Sequence, residues 1–247
     1  MTRPDGRRPD QLRPIKATRR YLRHAYGSCM FELGDTRVLC AATITDGVPP
    51  WLKGKGQGWI TAEYSLLPAS THTRSRREVT SGGIKGRTHE IQRLIGRSLR
   101  SIIDLRTLGG EVTLYVDCDV IQADGGTRSA AVTGAYLAVH DALSTWCDAG
   151  RIPEVPLLGQ VAATSVGMVA GELVLDLDYA EDSTAEIDMN VVMDGEGRFI
   201  EVQGTGEQTP FDRDRLNSML DMATAGIESI AAFQRRVIEG QGDVFEL

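Results

Sequence analysis

Residues 122–143 read QADGGTRSAAVTGAYLAVHDAL, and the organisation of the chain follows from this stretch. An alternating run leads into it. Val112, Leu114, Val116, Cys118 and Val120 are apolar on one parity, the period of a strand with one buried face. Asp124, two glycines, Thr127, Arg128 and Ser129 come next, and small and apolar residues at helical spacing follow them. A strand, a tight glycine turn and a helix start aim several unpaired backbone N–H groups at one point. The positive end of the helix dipole adds to them, so that point favours an anion. Arg128 supplies a planar fork matched to two phosphate oxygens. A lone glycine pair would be only a turn, with Thr127 as an N-cap. The arginine, together with two acidic positions further along, turns the reading toward an anion site.

The chain has 247 residues and 41% hydrophobic residues, enough for a large core in one sizeable domain or two small ones. Residues 1–23 are arginine-rich with no apolar centre, so no signal peptide is expected, and no window approaches the length of a membrane span. The four cysteines (Cys29, Cys40, Cys118, Cys147) are scattered, at least three of them in strand-like runs where a buried free thiol is ordinary. The four histidines show no metal-ligand spacing. A cytoplasmic enzyme is the expectation.

The net charge of −7 divides unevenly: residues 1–106 carry +11 and residues 107–247 carry −18. A basic front half suits a polyanion partner, and a surface balanced across an interface suits it equally.

Outward from the central stretch, RRPDQLRPIKATRRYLRHAYG predicts an extended arm as far as Pro14. SCMFELGDTRVLCAATI predicts a hairpin turning at Gly34-Asp35, and GWITAEYSLLP a third strand. Residues 69–86 are polar, basic and glycine-containing, and predict a mobile loop presenting Arg74, Arg76 and Arg77. A helix is expected over about 88–105, with Ile91, Leu94, Ile95, Leu99, Ile102 and Ile103 on one stripe. Beyond the central helix come a hairpin near Ala170-Gly171, an acidic segment, two strands joined at 194–197, and a long helix over about 212–239. The last residues, 240–247, are expected to be loose. Strands punctuated by helices predict a mixed α+β fold with helices packed on sheets.

Asp182 and Asp188 stand six apart in EDSTAEIDM, after a predicted strand and at the start of the next. If both face one cavity, they form a hard oxygen site suited to Mg²⁺, or one serves as a general acid. Alone they would be a solvated acidic turn. Arg87, in GGIKGRTHEI, sits beside a helix start, a second anion-prone place. No Walker motif is present. An anion pocket, a metal-capable acidic pair and a basic front half are the parts that phosphoryl transfer on nucleic acid needs.

GWITAEYSLLPASTHTR, GRTHEIQRLIGRSLR, DCDVIQADGGTRSA, YAEDSTAEIDMNVVM and IEVQGTGE together resemble the bacterial ribonuclease PH family, from about Arg7 to Ile238. The resemblance implies a single domain with a duplicated βαβ fold and a homohexameric ring arranged as a trimer of dimers. It also implies phosphate-dependent trimming of 3′ ends of transfer RNA precursors, and of other RNAs such as ribosomal RNA, with release of nucleoside diphosphates. By motif, it implies phosphate binding by Arg87, Gly126, Thr127 and Arg128, with Asp182 and Asp188 as the catalytic, metal-holding pair. Two other classes stay open at this point, a non-catalytic RNA-binding subunit of such a ring and a metal-dependent hydrolytic nuclease.

Overall fold

The computed structural model describes residues 3–245. Strand β1 (Ile15–Arg19) is followed by the hairpin of β2 (Gly27–Leu33) and β3 (Thr36–Asp46), whose register Leu33↔Thr36 closes on Gly34-Asp35 as the sequence predicts. Next come β4 (Trp59–Leu66), helix α1 (Gly86–Ser101) and β5 (Val112–Gln122). Strands β4 and β5 pair in parallel, which requires a crossover, and α1 is that crossover. The remaining pairs of the first sheet are antiparallel, in the order β10-β1-β2-β3-β5-β4, where β10 is Val244–Phe245. Its alternating strands bury one parity: Val38, Cys40, Ala42 and Ile44 on β3, and Leu114, Val116, Cys118 and Val120 on β5.

Helix α2 (Thr127–Asp148) is the centre of the molecule. Fifteen of its 22 residues are buried, so it is a core helix and not an amphipathic surface one. It packs on β2 and β3 from one side and on β6 (Val161–Val169) from the other. Its small residues permit that approach. A Cβ at Gly134 would stand 2.8 Å from Phe31 and 2.9 Å from the Cys40 sulfur, and one at Gly27 would meet the Ala138 carbonyl oxygen at 2.0 Å.

The second sheet, in the order β7-β6-β8-β9, is antiparallel throughout. Strand β7 (Glu172–Leu175), the short helix α3 (Tyr179–Asp182), β8 (Ile187–Asp194) and β9 (Phe199–Gly206) lead to α4 (Arg213–Ile238), which lies over β6. One continuous cluster of buried side chains runs from Leu12 to Val237 and includes residues of both sheets.

Two expectations need correction. The helix expected over 88–105 starts and ends earlier. Ile103 leaves the helix to bridge Leu157, and the Asp104 N–H donates to the Pro156 carbonyl, so residues 102–105 follow a backbone partner that sequence spacing cannot see. The tail is not loose as far as it is described. Strand β10 (Val244–Phe245) pairs with β1, and Phe245 stacks near Phe233 with ring centroids 6.1 Å apart. Residues 246 and 247 lie outside the described residues. The N-terminal arm is not helical, as expected, and it lies against the fold, where Arg3 and Arg13 are 2% and 3% exposed. Positions 1 and 2 lie outside the described residues.

Candidate active site

The turn between β5 and α2 forms one half of the site. Gly125 and Gly126 both take left-handed backbone conformations, with φ of 71° and 63°. An L side chain there is strained, and a Cβ on Gly125 would also stand 2.6 Å from backbone atoms of Leu177 and Asp178. Gly126 is the N-cap and provides no side chain, so the first N–H groups of α2 are left unpaired by any cap. Thr127 is the first helical residue and not the cap. Its hydroxyl is held at 2.8 Å by the buried Tyr64 hydroxyl from the end of β4. The turn is pinned from below, since the Thr36 hydroxyl donates to the Gly125 carbonyl at 2.7 Å and accepts from the Asp124 N–H at 2.9 Å.

Arg128 is largely covered by its neighbours. Its Nη1 donates to Gln203 Oε1 at 2.8 Å and to Glu90 Oε1 at 3.2 Å, so β9 and α1 fix its direction. Arg87 stands exposed in the first turn of α1. The two arginines lie within electrostatic reach of the same groups. Both act electrostatically on the Tyr64 hydroxyl, and both lower the proton affinity of Asp182 and Asp188.

The carboxylates form the other half. Asp182 ends α3, and Asp188 is the second residue of β8, paired across the sheet with Gly167 and Thr205. The start of α3 is a capping box. Asp178 accepts from the Glu181 N–H at 2.9 Å while Glu181 accepts from the Asp178 N–H at 3.2 Å. Asp182 has an open face to solvent, but the protein around it raises its carboxyl through burial, against the pull of Arg87 and Arg128. Burial, and then the charge of Asp182, push Asp188 up to about 6. One oxygen of Asp188 accepts a 3.3 Å bond from Asn190, and the other, Oδ1, is buried without a partner.

An orphaned carboxylate oxygen on Asp188, within electrostatic reach of a second, repelling carboxylate, fits a hard divalent cation, which would satisfy the one and relieve the other. Among the described residues no third acidic, histidine or cysteine side chain joins them, a donor set that suits an ion retaining water, as Mg²⁺ does.

Charge links the positions singled out in the sequence: Arg87, and Arg128 beside Gly126 and Thr127, act on both Asp182 and Asp188. Arg74, Arg76 and Arg77 do not join them. They lie exposed on the loop before α1, which is anchored to that helix by Glu78, whose carboxylate accepts from the Thr88 hydroxyl at 2.9 Å and the Lys85 N–H at 3.1 Å. Sequence reasoning missed Tyr64, Gln203 and Arg13. The first two lie in motifs that were quoted whole, so only their contacts were invisible. Arg13 lies in the segment expected to be an extended arm, whose spacing shows no tertiary partner.

Two family models match this chain. They are 3′ exoribonuclease family, domain 1, over residues 11–144, and domain 2 of the same family, over residues 159–226. Ribonuclease PH of Moorella thermoacetica is 56% identical over 244 residues, covering 99% of this chain and 96% of that protein. The chain belongs to the 3′ exoribonuclease family. With that family goes its activity, phosphate-dependent 3′→5′ exoribonuclease action on RNA. Among solved structures, rice Rrp46 superposes with a TM-score of 0.77 at 25% identity, covering 96% of this chain and all of that one. A chain of an Archaeoglobus fulgidus exosome with RNA bound to its active site gives 0.78 at 21% identity, covering 97% and 92%, a likeness of fold. The mixed architecture of two sheets with packed helices is thus the family's own.

Proposed function

We propose that this exoribonuclease trims the 3′ ends of transfer RNA precursors, and of other RNAs such as ribosomal RNA, by holding inorganic phosphate between Arg87, Arg128 and the Gly126-Thr127 turn. The observation that carries this reading is the convergence of two arginines and an uncapped helix start on two carboxylates of raised proton affinity. The arginines neutralise the repulsion between attacking phosphate and the scissile phosphodiester. Fixing both reactants turns a bimolecular encounter into a positioned in-line displacement. A phosphate oxygen forms the new bond to phosphorus and the bond to the 3′ oxygen breaks. The proton of HPO₄²⁻ ends on the new 3′ hydroxyl, so a nucleoside 5′-diphosphate leaves and the RNA is one nucleotide shorter.

Asp182 and Asp188 are the residues that would hold Mg²⁺ or a similar cation, which when bound offsets the charge accumulating on the transferring group and the leaving oxygen. The backbone that places them is independent of any ion, because α3 is capped by its own side chains and β8 is held on both edges. Arg74, Arg76 and Arg77, exposed and outside the phosphate site, would line the path of the RNA body.

The chain is read as one folded domain, supported by its continuous core. It is also read as a subunit of a homohexameric ring, a trimer of dimers. Ring formation is in keeping with the exosome chains it resembles in fold. Among the described residues no helix is long and apolar enough to cross a membrane. The proposed place of action is the cytoplasm, where precursor RNA is found.

The deciding assay is product analysis. RNA with a free 3′ end, incubated with phosphate and a divalent cation, should yield nucleoside diphosphates. Equal rates without phosphate, yielding monophosphates, would overturn the phosphorolytic reading.

A further inference from the structure

The N-terminal arm turns its charges inward. Arg3 Nε and Nη2 donate to the two carboxylate oxygens of Glu181 at 2.7 Å each, and both side chains are 1% exposed. Arg13 donates from Nε and Nη2 to the two oxygens of Asp176, at 3.0 and 2.7 Å. Burial alone would raise Asp176, but Arg13 and then Arg7 hold its carboxyl below the ordinary range.

Asp176 lies just before α3 and Glu181 within it, next to Asp182, the residue that ends the helix. Asp176 is also a non-glycine residue in the left-handed region, at φ 54°, a conformation that persists only where its surroundings fix it. The arm does so: the Asp176 carbonyl accepts from Arg3 Nη2 and Arg7 Nη1, each at 3.0 Å.

Arg13 reaches the other half of the site as well. Its Nη1 donates to the Asp124 carbonyl in the glycine turn, and its Nη2 lies so near Gly126 that a Cβ there would stand 2.8 Å away. The cradle belongs to the β5–α2 turn and Asp182 to α3, and Arg13 bonds at once to that turn, at Asp124, and to Asp176 in the segment that leads from β7 into α3. A buried ion-pair network adds little net stability over a well-packed apolar one, whereas it fixes geometry through directed bonds.

We propose that this arm is a positioning element of the reaction: Arg13 sets the spacing between the phosphate cradle and the carboxylate segment, and Arg3, through Glu181, sets the direction of Asp182. This rests on the reading of Asp182 and the cradle as the two halves of the active site.

The test uses the full chain with Arg3→Met, Arg3→Lys, Glu181→Gln, Arg13→Met and Arg13→Lys, assayed on a short oligonucleotide well below each variant's Tm. Arg3→Met and Glu181→Gln should each lower kcat at least tenfold while the KM for phosphate stays within threefold. Arg13→Met should lower kcat and raise the phosphate KM together. The lysine variants should recover part of each loss. In an Asp182→Asn background Arg3→Met should cost less than a further twofold, because the residue it acts through is already disabled.

An unchanged kcat per folded molecule with a lowered Tm would reduce the arm to a structural clamp and overturn the proposal. So would a full tenfold loss that persists in the Asp182→Asn background. Should the methionine variants fail to fold, Glu181→Gln and the two lysine variants carry the same comparison. Wild-type kcat in Asp182→Asn alone would remove the underlying reading of the site, a result separable from the arm because no arm residue is changed.

Discussion

Replacing Arg128 with alanine removes the side chain that β9 and α1 aim at the phosphate position. The bonds that aim it run to Gln203 at 2.8 Å and Glu90 at 3.2 Å, so the guanidinium is held before phosphate arrives and loses little freedom on binding. Two charge-assisted bonds to phosphate contribute about 1.5–3 kcal/mol each, or about 3–6 kcal/mol together. At about 1.4 kcal/mol per factor of ten, that is a loss of roughly 10²–10⁴ in phosphate affinity. Arg87 and the helix N–H groups remain, which favours the lower end. The fold should hardly register the change, because the partner Glu90 side chain is 42% exposed and such pairs contribute at most about 1 kcal/mol. Phosphate KM is measured on a short oligonucleotide across a wide phosphate range, beside Tm and RNA affinity. Arg128→Lys should fall between wild type and alanine, since it keeps the charge but not the fork. A phosphate KM within twofold of wild type in Arg128→Ala would refute the assignment and leave Arg128 as a strut between α1 and β9.

Asp188→Asn should lower kcat at least tenfold, about 1.4 kcal/mol of transition-state stabilisation, yet raise stability at neutral pH. The folded carboxyl titrates near 6, above its ordinary value, so the folded state binds more protons than the unfolded one between about pH 4 and 6, and stability falls as pH rises through that window. Removing the charge should therefore recover about 1–3 kcal/mol at pH 7, read as a higher Tm without divalent cation, and a lower Tm would contradict the origin given for the shift. Neutralising Arg74, Arg76 and Arg77 together should weaken binding of long RNA and flatten its salt dependence while sparing a short oligonucleotide. If the oligomer dissociates and short substrates suffer equally in sedimentation and kinetic assays, the loop is an assembly element instead. Gly125→Ala should abolish phosphorolysis and lower Tm, because its Cβ would press on the Leu177–Asp178 backbone from a left-handed position. A variant of normal Tm and activity would show that the turn can relax.

Much of this was legible in the sequence because it is local. Period-two alternation in 112–120, the Gly34-Asp35 hairpin and the glycine turn opening α2 depend on residues within a few positions of one another, and each takes the expected form. The motif residues of the site also come together: Arg87 is placed by the start of α1, Asp182 by a self-capped turn, and Asp188 by the start of β8. The tertiary structure decided everything that needed two distant segments. It ended α1 at Ser101, where Ile103 found Leu157, and tied the tail down through β1 and Phe233. It also made the arginine-rich start part of the interior. An arginine's spacing along the chain carries no mark of burial, and Arg3 and Arg13 can be buried only because Glu181 and Asp176, more than 150 residues away, are carried to them by the second sheet.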